Sequence, residues 1–429
     1  MADAFQQLNP HDRDVAAEAM QAFHNDDAGR LRDILDRHPA LKPLVNAPIA
    51  SFDAPPIVYV RSRRMLDVLL DAGADINGRS RWWAGGFGVL DCASPDVSAY
   101  AIERGAAVDA HAAARLGLAD RLRDLLERDP AAVHARGGDG QTPLHFATSV
   151  QIADMLLNAG ADINARDVDH ESTPAQYMVG DRADVATHLV ARGADTDLLL
   201  AAALGDLSRA GAHLDANPSA IRMRVDSHWF PMKNARAGGT IHQWTLGFHA
   251  SAHQVAHDRG HRDMLTLLME RSSVALRLLE ACWIEDAASV ETHRIAFEQS
   301  GSGLDDTERK IVAHAARNNR TEAVRLMLES GWPVDARGQH QGTPLHWGAF
   351  HGNAEMVRAI LRHAPPLEAV DANFAATPVG WAVHGSEHGW YADTGDYAAV
   401  VELLLAAGAV EPQQVKGSAA VRDVLLRRR

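Results

Sequence analysis

The chain has 429 residues, 46% of them hydrophobic but only 6% aromatic, and a formal charge of −14 at pH 7. That acidity excludes a phosphate-tracking surface, which needs clustered Lys and Arg, and Arg427-Arg428-Arg429 is too short a basic run to reverse it. Two cysteines, Cys92 and Cys282, stand far apart without a CxxC, which excludes a disulfide framework or a cysteine metal site and fits a reducing compartment.

From Met1 to Gln7 the chain has neither the basic start nor the apolar run of a secretory signal. The longest apolar stretch, Leu198 to Leu204, falls far short of the ~20 residues a bilayer helix needs, so a soluble, cytoplasmic protein is expected. Residues 1–50 read as a capping repeat with apolar faces from Ala16 to Phe23 and from Leu31 to Leu35. Repeats follow over 51–224, where Met65 to Asn77 is a helix with its exit turn and Gln141-Thr142-Pro143-Leu144-His145 opens the best-formed central unit. Residues 225–250, with Trp229, Phe230, Pro231 and Trp244, break the period and read as an insertion loop. Repeats resume over 251–410 with a second insertion at 387–395, and a capping helix closes the chain over 411–429.

The period is clearest near the C-terminus, in Gly342-Thr343-Pro344-Leu345-His346-Trp347 and again from Thr377-Pro378 to Gly408-Ala409. Thr343 suits a helix cap, Pro344 its first turn, and Leu345 starts an apolar face. A second helix carries Val357, Ile360 and Leu361, and glycine ends such a helix where a left-handed residue is cheapest. These motifs resemble the ankyrin repeat, and in particular the bacterial ankyrin-repeat proteins. The resemblance implies an all-α solenoid of about twelve helix-turn-helix repeats with short hairpin fingers, each unit stacking on neighbours because ~33 residues cannot bury their own apolar face. It also implies recognition. It does not imply a reaction, because fold and function are separable.

Of the twenty-three histidines, His145, His346 and His261 are claimed by the repeat pattern, and His253 reads as a buried, hydrogen-bonded side chain. Others fall where ankyrin proteins present side chains to ligands: His340, Trp347 and His351 in one repeat, Trp381 and His384 in the next. The second insertion adds His388, Trp390 and Asp393. Earlier in the chain Trp83, the charged finger with His170 and Glu171, and the insertion residues Trp229, His242 and Trp244 offer similar chemistry. Ring faces for stacking and titratable groups for orientation suit a polar-aromatic pocket. The plainer alternatives are that Trp347 and Trp381 pack on each other between repeats and that the charged finger is a solvated tip. No cofactor or metal is expected. His384 and His388 are four apart, but Gly385 and Gly389 disfavour a regular helix there and no third ligand is fixed by spacing.

Two functions follow as expectations. The first is a binding protein that holds a protein partner or a small polar or aromatic ligand in a His/Trp-rich concave groove, with neither nucleic acid nor membrane as partner. It fits a chain without a phosphate loop, nucleophile elbow, metalloprotease helix or dinucleotide fingerprint. The alternative is an enzyme using groove His and Asp/Glu as general acid and base in a hydrolysis, elimination or cyclisation, since His switches charge near neutral pH.

Overall fold

A computed structural model of the protein describes residues 10–301 and 303–428, so the readings placed on Met1 to Gln7 and on Arg429 lie outside the described residues. Helices follow one another in pairs, from Pro10–His24 with Ala28–Arg37 to Pro378–His388 with Tyr397–Ala406. Among the described residues there are twelve such pairs, closed by Ala419–Arg428, and the only β pairing is two isolated bridges. The fold is the all-α ankyrin-type stack expected from the motifs. No described helix is long and apolar enough to cross a membrane.

The chain forms two compact units, one of Met1–Leu200 with Val225–Phe248, the other of Ala201–Arg224 with His249–Arg429. Within each unit the repeat motif links one pair to the next. Thr343 N–H donates to His346 Nδ1 at 3.1 Å, which places the imidazole proton on Nε2, and Nε2–H donates to the Ala376 carbonyl of the following repeat at 3.2 Å. His145 repeats this with Thr142 and the Ser172 carbonyl, and burial pushes it down to about 4, so it stays neutral. In the next repeat Gln176 stands where the histidine would be, accepting from Thr173 N–H at 2.9 Å and donating to Asp197 at 2.9 Å. His253 is buried with Nε2 at 2.9 Å from Ser272 Oγ, and His261 Nε2 reaches the Ala203 carbonyl at 3.1 Å.

The helix Pro378–His388 departs from expectation, because it continues through Gly385 to His388. A Cβ at Gly385 would stand 2.5 Å from the Phe350 carbonyl oxygen and 3.0 Å from the Tyr397 ring. Glycine is there to let the preceding repeat approach, and packing outweighs its poor helix propensity.

Candidate functional site

An aspartate fixes the finger that leads into the helix Pro378–His388. Asp371 Oδ1 accepts from Asn373 and Phe374 N–H at 2.8 and 2.7 Å, while Oδ2 accepts from Ala376 N–H at 3.0 Å and the Trp381 indole at 2.9 Å. Burial alone would raise this carboxyl, but the Trp381 indole and the backbone donors hold it below the usual carboxylate range. The same frame recurs in the first unit, where Asp167 accepts from His170 and Ser172 N–H at 2.7 Å each and from the hydroxyl of Tyr177 at 3.0 Å. Tyr177 follows Asp167 at the interval at which Trp381 follows Asp371. Each finger also joins the tip before it, Val168 N–H donating to the Asp139 carbonyl at 2.8 Å and Ala372 N–H to the His340 carbonyl at 3.0 Å. Asp139 at φ 53° and His340 at φ 59° both adopt the left-handed conformation. By this correspondence Asp139 matches His340, Asp169 matches Asn373, and His170 matches Phe374.

In the second unit the frame walls a cavity of about 390 Å³ lined by His340, Trp347, Phe350, Phe374, Ala376, Gly380, Trp381, His384 and Trp390. Trp347 and Trp381 meet edge to face with ring centres 5.0 Å apart, and Trp390 stacks on Trp347 at 6.1 Å. Trp347 and Trp381 are 3% and 6% exposed, so they are core and wall at once, whereas Trp390 at 59% and Phe374 at 65% form a rim. The Arg317 guanidinium lies 5.7 and 5.3 Å from the ring centres of Trp347 and Trp390, and burial lowers its pKa. The Trp347 indole N–H is buried without an acceptor among the described residues. No Asp or Glu lines the cavity, so its chemistry is that of aromatic faces with imidazoles at the margin.

Three further candidates of this unit stand outside the lining. His351 is buried, with Nε2 donating to the Arg317 carbonyl at 2.8 Å, and burial pushes it down to about 4. It supports the wall by stacking on Trp347 at 6.0 Å. His388 and Asp393 are exposed, and the His388 ring sits 4.9 Å from that of His384.

In the first unit the finger 167–171 is not a solvated tip but the seat of the insertion. Glu171 accepts from Lys233 and Asn234 N–H at 2.9 and 2.8 Å, Gly238 N–H donates to the Asp169 carbonyl at 2.9 Å, and Ile241 N–H to Ser172 Oγ at 3.1 Å. Asp167 and Asp169 are buried as a result. His242 is fully buried with Nε2 at 3.0 Å from Asp197, and although burial would raise that carboxyl, the His242 ring brings it down to about 2. Trp83 lies 4.6 Å beneath the Arg236 guanidinium, Trp229 packs on His228 at 5.4 Å, and the exposed Trp244 packs on Phe248 at 5.4 Å. These candidates are spread over separate contacts. His170 alone among them joins a set of ligating groups, with Asp139 and Asp169, whose contributing atoms all lie within 4.8 Å of one another. Burial first, and then the Asp169 carboxylate, push Asp139 up to about 6.

Asp139, Asp371 and Arg317 were not singled out by the sequence, because each acquires its role from what another repeat sets against it. The available signal was the interval from Asp167 to Tyr177, repeated from Asp371 to Trp381 in aligned repeats.

Residues 252–373 match a family model described as ankyrin repeats in three copies, and residues 139–168 match a single ankyrin repeat. The chain is 33% identical over 98 residues to the palmitoyltransferase Hip14 of Drosophila melanogaster, covering 23% of this chain and 14% of that protein. It is 49% identical over 49 residues to the serine/threonine-protein kinase VIK of Arabidopsis thaliana, 11% of each. To ankyrin repeat domain-containing protein 49 of Bos taurus it is 26% identical over 115 residues, 26% of this chain and 48% of that protein. The chain therefore spans less than half the length of each relative, and these animal and plant proteins carry no sign of the expected bacterial affiliation. Among solved structures, the human ASB11 ankyrin repeat domain aligns over 71% of this chain and 100% of its own length at 18% identity, with a TM-score of 0.28.

Proposed function

From a chain that carries ankyrin repeats at 139–168 and 252–373, we propose a protein-binding function in which the aromatic cavity of the second unit receives an apolar or aromatic side chain of the partner. The observation that carries this reading is the rim: Trp390 and Phe374 are large apolar side chains left exposed beside a cavity whose floor is Trp347 and Trp381. Interface anchors are most often Trp, Tyr or Arg seated in such pockets, and an isolated exposed ring has no reason to adjoin one. Ankyrin repeats are most often protein-interaction modules, which favours a protein over a free small molecule. The proton-transfer reading is weaker, since His340 and His384 face the cavity without a carboxylate among the lining residues.

The test uses the rim and spares the floor. Trp381 is clamped to Asp371, so its truncation would cost about 3–5 kcal/mol of folding and blur any binding result. Trp390 is mostly exposed. Peptides selected from a displayed random library against the full chain should share an aromatic or large aliphatic anchor, and Trp390→Ala should weaken them by about tenfold or more with the melting temperature unchanged. Selected peptides that bind Trp390→Ala and Phe374→Ala as well as the wild type would overturn the proposal. Selection of no peptide, with indole-like fragments binding instead, would assign the cavity to a small molecule.

A further inference from the structure

We propose that Asp139, Asp169 and His170 form a binding site for one divalent transition-metal ion, of the Zn²⁺ or Mn²⁺ class. The ligating atoms of the three lie within 4.8 Å of one another. Ligands of a single ion at ~2.0–2.6 Å stand about 3–5 Å apart, so one ion is within reach of all three after small side-chain rotations.

The imidazole is oriented for the task. His170 Nδ1 is 2.7 Å from the Gly239 carbonyl oxygen, which only accepts, so Nδ1–H donates there and Nε2 is the nitrogen left to meet a metal. A backbone carbonyl on the far nitrogen is how metal-bound histidines are commonly held. Nε2 faces Asp169 Oδ2 at 3.7 Å, beyond hydrogen-bonding distance, with the Asp169 side chain only 9% exposed. Gly238 N–H donates to Asp169 Oδ1 at 3.2 Å, and no hydrogen bond reaches Oδ2 among the described residues. A buried carboxylate oxygen, a second carboxylate that the Trp82 indole also approaches, and an imidazole nitrogen thus converge.

The matching positions of the second unit show what a finished arrangement looks like. There Asn373 Nδ2 donates to His340 Nδ1 at 2.8 Å, and the Phe374 ring packs 5.7 Å from the His340 ring. Donor meets acceptor, and apolar meets aromatic. On the same backbone frame the first unit sets two carboxylates and an imidazole against one another, none of them a donor to another, which a cation completes. Two carboxylate oxygens with one imidazole nitrogen favour Zn²⁺ or Mn²⁺ over Ca²⁺ and Mg²⁺, which select all-oxygen shells, and water fills the remaining positions.

The site is independent of the aromatic cavity, so the two proposals stand or fall separately. Full-length protein stripped with a chelator is titrated with ZnCl₂ by calorimetry and with MnCl₂ by electron paramagnetic resonance, beside Asp139→Asn. Asparagine accepts the left-handed tip conformation, so this variant removes charge and keeps the loop. One ion per wild-type chain is expected, with affinity about tenfold or more lower in Asp139→Asn. Asp169→Asn carries the same expectation should the first variant unfold. Equal isotherms in folded wild type and variants, or no stoichiometric binding of either ion, would each overturn the proposal.

Discussion

At the scale of the residue, one carboxylate at the base of a finger fixes both the loop and the ring behind it. Asp371 serves three backbone N–H groups and the Trp381 indole in a buried setting. Asp371→Ala would orphan four donors, each costing ~1–3 kcal/mol when left unpaired, though the costs overlap. The expected loss is about 3–5 kcal/mol in urea unfolding followed by tryptophan fluorescence, with Asp371→Asn losing less because it keeps one acceptor. A loss below about 1 kcal/mol for Asp371→Ala would mean that water replaces the carboxylate. None of this was legible from position 371 by itself. His145 and His346 were legible, because the threonine, proline and leucine around them define the capping geometry within five residues.

Helix starts were readable for the same reason, since Thr-Pro at 142, 173, 343 and 377 opens a helical turn each time. The end of the helix Pro378–His388 was not, because propensity argues for a break at Gly385 and tertiary packing decides otherwise. The two glycines of that helix separate the effects. A Cβ at Gly380 meets nothing nearer than Ala376 Cβ at 3.4 Å, so Gly380→Ala should gain about 0.5–1 kcal/mol of helix propensity. Gly385→Ala should instead destabilise by about 1–3 kcal/mol through its clash with the Phe350 carbonyl. Denaturant midpoints check both signs, and a Gly385→Ala variant as stable as wild type would show that the repeats are free to move apart. The finger 167–171 belongs to the same lesson. Its charge suggests a solvated tip, yet Glu171 and Asp169 receive the backbone of an insertion some sixty residues onward, a pairing that local composition does not encode.

For the molecule as a whole, buried and half-buried neutral histidines set the response to acid. Burial holds His145 and His351 at about 4, His314 at about 3 and His249 at about 2. In the unfolded chain they titrate near ~6.5, so below that pH the unfolded state takes up protons that the folded state refuses. Their stabilising contribution is complete above ~6.5 and declines towards the folded values, by up to ~1.4 kcal/mol per pH unit for each histidine. Urea midpoints should therefore be level from pH 7 to 8 and fall steadily from pH 6.5 to 4.5. A midpoint unchanged at pH 5 would show that these rings open to solvent without unfolding. Which candidates share a unit was likewise beyond the sequence, because residues 225–248 join the first unit while both flanking segments belong to the second.

The correspondence between the two fingers has a consequence for how such a chain diversifies. The bonds that hold the second unit's tip in place come from the base aspartate, backbone amides and a carbonyl, so the side chains at positions 340, 373 and 374 are largely spared the work of folding, whereas Asp169 and His170 also hold residues 238 and 239. Change at positions 340, 373 and 374 is cheap while change beneath them is costly. Natural variation and a mutagenic library alike can rewrite what the protein recognises at that tip while selection on foldability leaves it almost unpoliced.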